Sequence, residues 1–508
     1  MSVPTAMSSF PNFLPASRNV ETEPLRPNDP AAPQQPGAPS KSGAQARKPA
    51  ARGQAAGLLA RLAAVPRNDL AQTAWRTGRS LVGQFSTAAS ISVFASRTRT
   101  EAAAPVKTAE ARPLLTQSKA PAWRLDPPDA PQLSLTGRQI GWEGVESVAK
   151  MLSVNHALKS LDLSQNSLDT HGVQYLGEGL AQNRGLERLD LATNNLDAQN
   201  ARYLAQGLQK QAEPTLTWLR LDHNYLRDKG TAAIAALLPD YPTLRSLSLR
   251  STRTGDEGAI AIAHALEPTA NSDERIDASE LQHLDLSENL IGDEGAEALA
   301  QALVLSRVET LDLSGNRIGE DGVEALARAL VSGHIKTLDL SGNKVGVAGA
   351  LALAIALGSR DNPPEARASA SGNAPGHDAF AAPATGADTA PCALETLTLA
   401  HADIGPWGAM HLGEALTENT RLKRLDLREN GIGTPGAKFF AKYVKGNASL
   451  EVLQLSDNKI GDDAVPTLAE ALSSMTSLRE VDLSGNRFSD ENVEKLFEAC
   501  GHIPNVYL

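Results

Sequence analysis

A phrase of leucines closed by an asparagine, Leu-x-x-Leu-x-Leu-x-x-Asn-x-(Leu/Ile), returns along most of this chain. It occupies Leu158, Leu161, Leu163, Asn166 and Leu168, then Leu186, Leu189, Leu191, Asn194 and Leu196, and continues to Leu478, Val481, Leu483, Asn486 and Phe488. The asparagine position falls at 138, 166, 194, 224, 252, 289, 316, 343, 402, 430, 458 and 486, so the commonest step is 28 residues. A unit that short cannot bury its own apolar face. The period therefore dictates a stack of like units that share one continuous core.

Each unit changes period once. From Leu284 to Asn289 the alternation of leucine with Asp285 and Ser287 predicts a short strand, leucines inward. The asparagine then turns the chain, and its buried amide is suited to backbone groups that a loop leaves unsatisfied. From Ile291 to Leu303 the spacing of Ala296, Leu299, Ala300 and Leu303 predicts a helix of about three turns, opened by acidic residues that favour its positive end. Helices are wider than strands. The expected α/β fold is thus a horseshoe solenoid with a parallel sheet on its concave side and helices on its convex side. Strands about 4.8 Å apart in twelve units give an inner arc on the order of 55 Å, enough to hold another protein.

The wording resembles the ribonuclease-inhibitor-like subfamily of leucine-rich repeat proteins over roughly residues 131 to 508. It does so through the 28-residue step, Leu-Asp-Leu-Ser-Gly-Asn at 311 to 316 and 338 to 343 (Val481 replacing the first leucine at 481 to 486), and Gly-x-x-Gly-Ala or Gly-x-x-Gly-Val at the helix starts. Such families include protein inhibitors, GTPase-activating proteins for Ran, immune sensor arrays and secreted bacterial effectors, and the resemblance implies protein binding on the concave face or its rim.

Residues 1 to 120 are different in kind. They hold 15 Lys or Arg against 6 Asp or Glu, a balance of +9, whereas the whole chain is −11, leaving −20 for residues 121 to 508. The first part is rich in Ala, Pro and Ser, lacks apolar periodicity, and is expected to be a disordered basic leader. Residues 54 to 65 have helical spacing, suited to a partner or membrane surface or to a weak Ala-rich helix. The arginines between 47 and 112 are scattered, so no nucleic-acid partner is expected. No signal peptide and no transmembrane span is visible. With only Cys392 and Cys500 there is no disulfide framework, which favours a reducing compartment. A threadable leader before a repeat array looks like a bacterial effector exported unfolded into a host cytoplasm. The other expectation is an intracellular, cytoplasmic regulatory protein.

Two steps exceed 28, around residues 268 to 280 and 358 to 391; the longer is a flexible insertion or a lid over one rim. Arg138 stands where asparagine belongs, as in an atypical capping unit, and Ile503 to Leu508 match the strand of a thirteenth unit, leaving no room there for a catalytic domain.

Function is expected on the strand positions between the central leucines: Asp162, Asp190, Arg220, Ser248, Asp285, Asp312, Asp339, Thr398, Asp426, Gln454 and Asp482. Taken as exposed, this column makes the concave face acidic and suits a partner with a basic surface, although part of it is shared family wording and structural. The wording breaks at Arg188, at Trp218, Arg220 and His223, and at Arg245 and Arg250. This is a candidate patch of the residue types that dominate interfaces, unless Trp218 merely covers its neighbours. A second lies at His401 and Arg428, with Arg424 and Glu429. No phosphate-binding loop, His-Glu-x-x-His, Cys-x-x-Cys or nucleophile elbow occurs, so catalytic residues, cofactors and metals are not expected. The enzyme-class alternative is a Ran-type GTPase-activating protein using Arg220 or Arg250.

Overall fold

The computed structural model describes residues 130–267, 279–332, 334–358 and 392–508, with backbone alone at 110–114, 122–126 and 332. Most of the basic leader with its 54 to 65 segment, and residues 268–278 and 359–391 of the two long steps, lie outside the described residues.

Among the described residues, thirteen three-residue strands form one parallel sheet, each hydrogen-bonded to the next in sequence from Gln132–Ser134 to Asn505–Tyr507. The repeat thus builds the expected solenoid, including the thirteenth strand. The central residue of each strand is the second leucine of the phrase, and Leu161, Leu189, Leu311 and Leu425 are all buried. The helices α1 to α12 are Gly141–Leu152, Thr170–Gln182, Ala198–Gln209, Arg227–Ala235, Asp256–Leu266, Asp293–Leu303, Glu320–Ser332, Gly346–Leu357, Gly405–Leu416, Gly433–Val444, Val465–Ser474 and Asp490–Ala499. They turn Leu, Ile, Val and Ala onto the leucines of the sheet in a single core. Before the solenoid, Glu110–Leu114 and Ala122–Asp126 pair antiparallel, and the second of these strands runs beside α1. This hairpin straddles the boundary that composition places at residue 120.

The asparagine column works as its chemistry requires. Asn289 Nδ2 donates to the carbonyls of Leu249, Leu286 and Ser287 at 2.8, 2.9 and 3.1 Å, while its Oδ1 accepts the N–H groups of Thr252 and Thr254, both at 3.0 Å. One side chain thereby ties two repeats. Where Ala402 vacates the column, the Asn343 N–H turns back to Leu340 O at 3.3 Å. Sequence reasoning missed a second column at the opposite helix ends. Asn183 Nδ2 donates to Leu152 O at 2.8 Å, Gln211 Nε2 to Leu180 O at 2.8 Å and Asn447 Nδ2 to Leu416 O at 2.8 Å. Each satisfies a terminal carbonyl of the preceding helix.

Helix starts depart from expectation. The early helices cap themselves: Asp169 accepts from Gly172, and Asp197 from Gln199 and Asn200. Later, the acid near the start of one helix caps the next. Asp228 Oδ1 accepts the N–H groups of Gly255 and Gly258 at 2.6 and 3.1 Å, and Asp293 Oδ1 those of Gly319 and Gly322 at 2.6 and 3.0 Å. At these later helices the favourable charge at the positive end therefore comes from the neighbouring repeat.

Candidate partner-binding surface

On an antiparallel or open sheet the residues flanking each buried leucine would face water. Here the curvature packs neighbouring strands so closely on the inside that Ser248, Asp285, Asp312, Asp339, Thr398 and Asp426 are all buried. The expectation that this column is exposed is corrected for these six. The aspartates have local tasks: Asp285 Oδ1 accepts the N–H and Oγ–H of Ser287 at 2.9 and 2.6 Å, and Asp312 does the same with Ser314. Asp285, Asp312 and Asp339 are register partners on adjacent strands. Burial, reinforced by the neighbouring carboxylates, pushes Asp285 and Asp312 up to about 7 and Asp339 up to about 6. This stretch carries less negative charge near neutrality than its composition suggests.

The surface changes character three strands earlier. The Arg188 guanidinium lies over the Trp218 ring, 4.3 Å from its centroid, on register-paired strands. Arg220 follows Trp218 by two residues, so it shares that face of the sheet. Its Nε donates to Asp222 Oδ2 at 2.5 Å and its Nη1 to Asp190 Oδ2 at 3.3 Å. Burial pulls the Arg220 guanidinium down, but the carboxylates of Asp222 and Asp190 hold it above its ordinary range. Asp190 itself is raised by burial. At the rim His223 is exposed, with a positive φ of 54° that turns it out of the strand.

Two further residues belong here and were not singled out by sequence. Tyr225 is 44% exposed, and the Arg253 guanidinium lies over its ring at 4.6 Å. Both follow the asparagine position by one residue in consecutive repeats. An aromatic followed one repeat later by an arginine at that offset is the signal that could have found them. Two cation–π pairs therefore stand within three repeats of one another, around Arg220 and His223.

Other candidates lie apart or inward. Arg245 precedes its strand and pairs with Glu280 at 3.3 Å. Arg250 is 9% exposed, its Nη2 bound to Glu288 at 2.6 Å and its Nε without a hydrogen-bond partner among the described residues. In the second patch Arg428 chelates Asp426 with distances of 2.6 to 3.0 Å, and the exposed His401 faces Glu429 at 3.4 Å. Three repeats, with strands His283–Asp285, Thr310–Asp312 and Thr337–Asp339 and mostly small, buried side chains, separate the two patches. Among the described residues no group of three or more His, Cys, Asp or Glu is placed to hold a metal ion, and no helix is long and apolar enough to cross a membrane.

The sequence matches the family pattern described as Leucine Rich repeat at residues 154–177, 242–263, 279–300, 307–327, 332–354, 418–441, 446–469 and 474–497. These segments each carry a strand-and-helix unit of the sheet just described. The chain is a leucine-rich repeat protein. A search of curated proteins gives no match. Among solved structures, this leucine-rich repeat array is similar to a chain of the yeast Rad7–Elc1 complex (17% identity, TM-score 0.41), covering 72% of this chain and 82% of that one. It is similar to the internalin inlF of Listeria monocytogenes str. 4b F2365 (13% identity, TM-score 0.41), covering 76% and 89%. It is also similar to a chain of the TLR13–ssRNA13 complex (19% identity, TM-score 0.41), covering 75% of this chain and 47% of that one.

Proposed function

We propose that this leucine-rich repeat protein is a non-catalytic scaffold that holds a protein partner on its concave face, docking it at Arg188, Trp218, Arg220, His223, Tyr225 and Arg253. The observation that carries the reading is the pair of cation–π contacts, Arg188 on Trp218 and Arg253 on Tyr225, set within three repeats on an otherwise small-residue surface. Pre-stacked aromatic and guanidinium groups offer large area with little rotamer entropy left to lose. Arg428 and His401 form a second, lesser contact. The partner's complementary surface is mixed, with carboxylates for the arginines and a basic part for Asp162 and Asp482.

The ribonuclease-inhibitor-like subtype is supported by the 28-residue step and by a helix in nearly every repeat. Delivery as a bacterial effector into a host cytoplasm is supported by the composition of residues 1 to 120 alone. A Ran-type GTPase-activating role that used Arg220 or Arg250 would need a free guanidinium, and the engagement of Arg220 by two carboxylates and of Arg250 by Glu288 favours the scaffold over that version.

The test is quantitative co-purification from host and bacterial lysates with the full chain and with W218A and Y225A variants. Truncation of a central interface aromatic costs at least ~2 kcal/mol, about a 30-fold loss of affinity. Capture of the same proteins at the same yield by folded W218A/Y225A would defeat the reading.

A further inference from the structure

The outer helices change chemistry in a fixed order along the array. At corresponding outward positions α6 and α7 present Glu294, Glu297, Asp321 and Glu324. In α8 the same positions are the apolar Ala348 and Leu351, with Val347 at the place of Asp293 and Glu320; Val347 and Leu351 are 39% and 38% exposed. In α9 Trp407 is 56% exposed, its ring stacked on that of Phe439 in α10 with centroids 6.2 Å apart and planes at 21°. Beyond the stack, α10 carries the exposed Lys438 and Lys442. An apolar patch on adjacent helices thus lies between the mainly acidic face of α7, where Arg328 pairs with Glu324 at 3.8 Å, and lysines on the other side. Exposed Trp407 and Phe439 in ring contact, with exposed Val347 and Leu351 on the adjoining helix, are an unusual surface for a chain that lives alone in water.

We infer that this face is a homodimer interface, in which a second copy of the chain docks about a two-fold axis running along the helix direction between α8 and α9. The charge order selects the occupant and the axis together. A two-fold along the helices reverses the order of helices across the interface. It lays α8 of one copy on α9 of the other, Val347 and Leu351 against Trp407. It also lays α7 on α10, the mainly acidic face of Asp321, Glu324 and Arg328 against Lys438 and Lys442. An axis along the array would instead oppose acid to acid and lysine to lysine. The patch is its own complement in the first arrangement only. Four helices spaced about 10 Å apart, each about 18 Å long, give roughly 700 Å² per copy, close to the ~800 Å² per partner of a standard specific interface.

The experiment is sedimentation velocity on the full chain over a concentration series, with W407E, a K438E/K442E variant and a D321K/E324K/K438E/K442E variant. Circular dichroism melts confirm that each is folded. The parent is expected to show a concentration-dependent monomer–dimer equilibrium. W407E and K438E/K442E should weaken it at least ten-fold, and the four-fold reversal, which restores opposite charges across the axis, should recover most of it. A parent that stays monomeric, a W407E protein that dimerises like the parent, or a four-fold variant no better than K438E/K442E would overturn the inference. So would hydroxyl-radical footprinting that finds Trp407 shielded in the monomer, because the patch would then be covered within the chain.

Discussion

Asp256 caps a helix that is not its own: its Oδ1 accepts the N–H of Gly295 at 3.1 Å, having already accepted that of Gly292 at 2.7 Å, both in the following repeat. The contact needs glycine, since a Cβ on Gly295 would lie 2.7 Å from the same oxygen. D256A should lower stability by about 0.5–2 kcal/mol, the range for a lost helix cap. G295A should be destabilising in the parent and less so beside D256A, where the oxygen is gone. Urea unfolding of the double-mutant cycle measures this, and equal G295A effects in both backgrounds would refute the forward cap.

Asn316 lies mid-array with its Nδ2 on the carbonyls of Leu286 and Leu313, both at 2.9 Å, and its Oδ1 accepting the Ile291 N–H at 3.0 Å. N316A strands these buried groups and should cost roughly 1–3 kcal/mol. A thermal melt superimposable on the parent's would show that the column is dispensable.

The stacked carboxylates give stability a pH dependence. Asp285 and Asp312 near 7 and Asp339 near 6 all lie above the ordinary carboxylate value, so the native state holds more protons than the unfolded chain between about pH 4 and pH 7. Stability from this ladder is present at low pH and is lost as pH rises through that window. Denaturant midpoints at pH 5.5 and pH 8 should therefore favour the lower pH, and D312N should flatten the difference. A steeper dependence in D312N would reverse the sign of the argument.

Cys392 and Cys500 are free and buried, and burial pushes the Cys500 thiol up to about 11. Neither should react with an aromatic disulfide reagent in the folded protein, and both should react in denaturant. Rapid native labelling of Cys500 would mean that the last helix opens readily.

The repeat, its strands, the helices and the thirteenth strand were legible because a period of 28 written in leucine admits one way of burying them. The fate of the polar residues was not. Asp285 and Asp162 occupy equivalent places in the phrase and each has a serine and an aspartate as strand partners, yet one is buried mid-array and the other, one strand from the end of the sheet, is half-exposed, a difference the local wording does not carry. Tyr225 and Arg253 escaped notice for the same reason, lying 28 residues apart in sequence and one ring apart in space. The forward caps were hidden by an assumption that an acid at a helix start serves that helix.

Those caps reach from one unit to the next, so the piece that must be inherited whole is the junction. Where α8 carries Val347 at the place of the acid and has nothing to extend, the receiving N–H groups of α9 turn to backbone instead: Gly405 N–H finds Asn430 O at 3.2 Å and Gly408 N–H finds Ile404 O at 3.1 Å. A change in one unit is answered in its successor. Shortening or lengthening this array by a unit would join an acid to a helix start other than its own receiver wherever the cut falls, because giver and receiver stand a full repeat apart. The array reads in one direction, and its parts are not interchangeable beads.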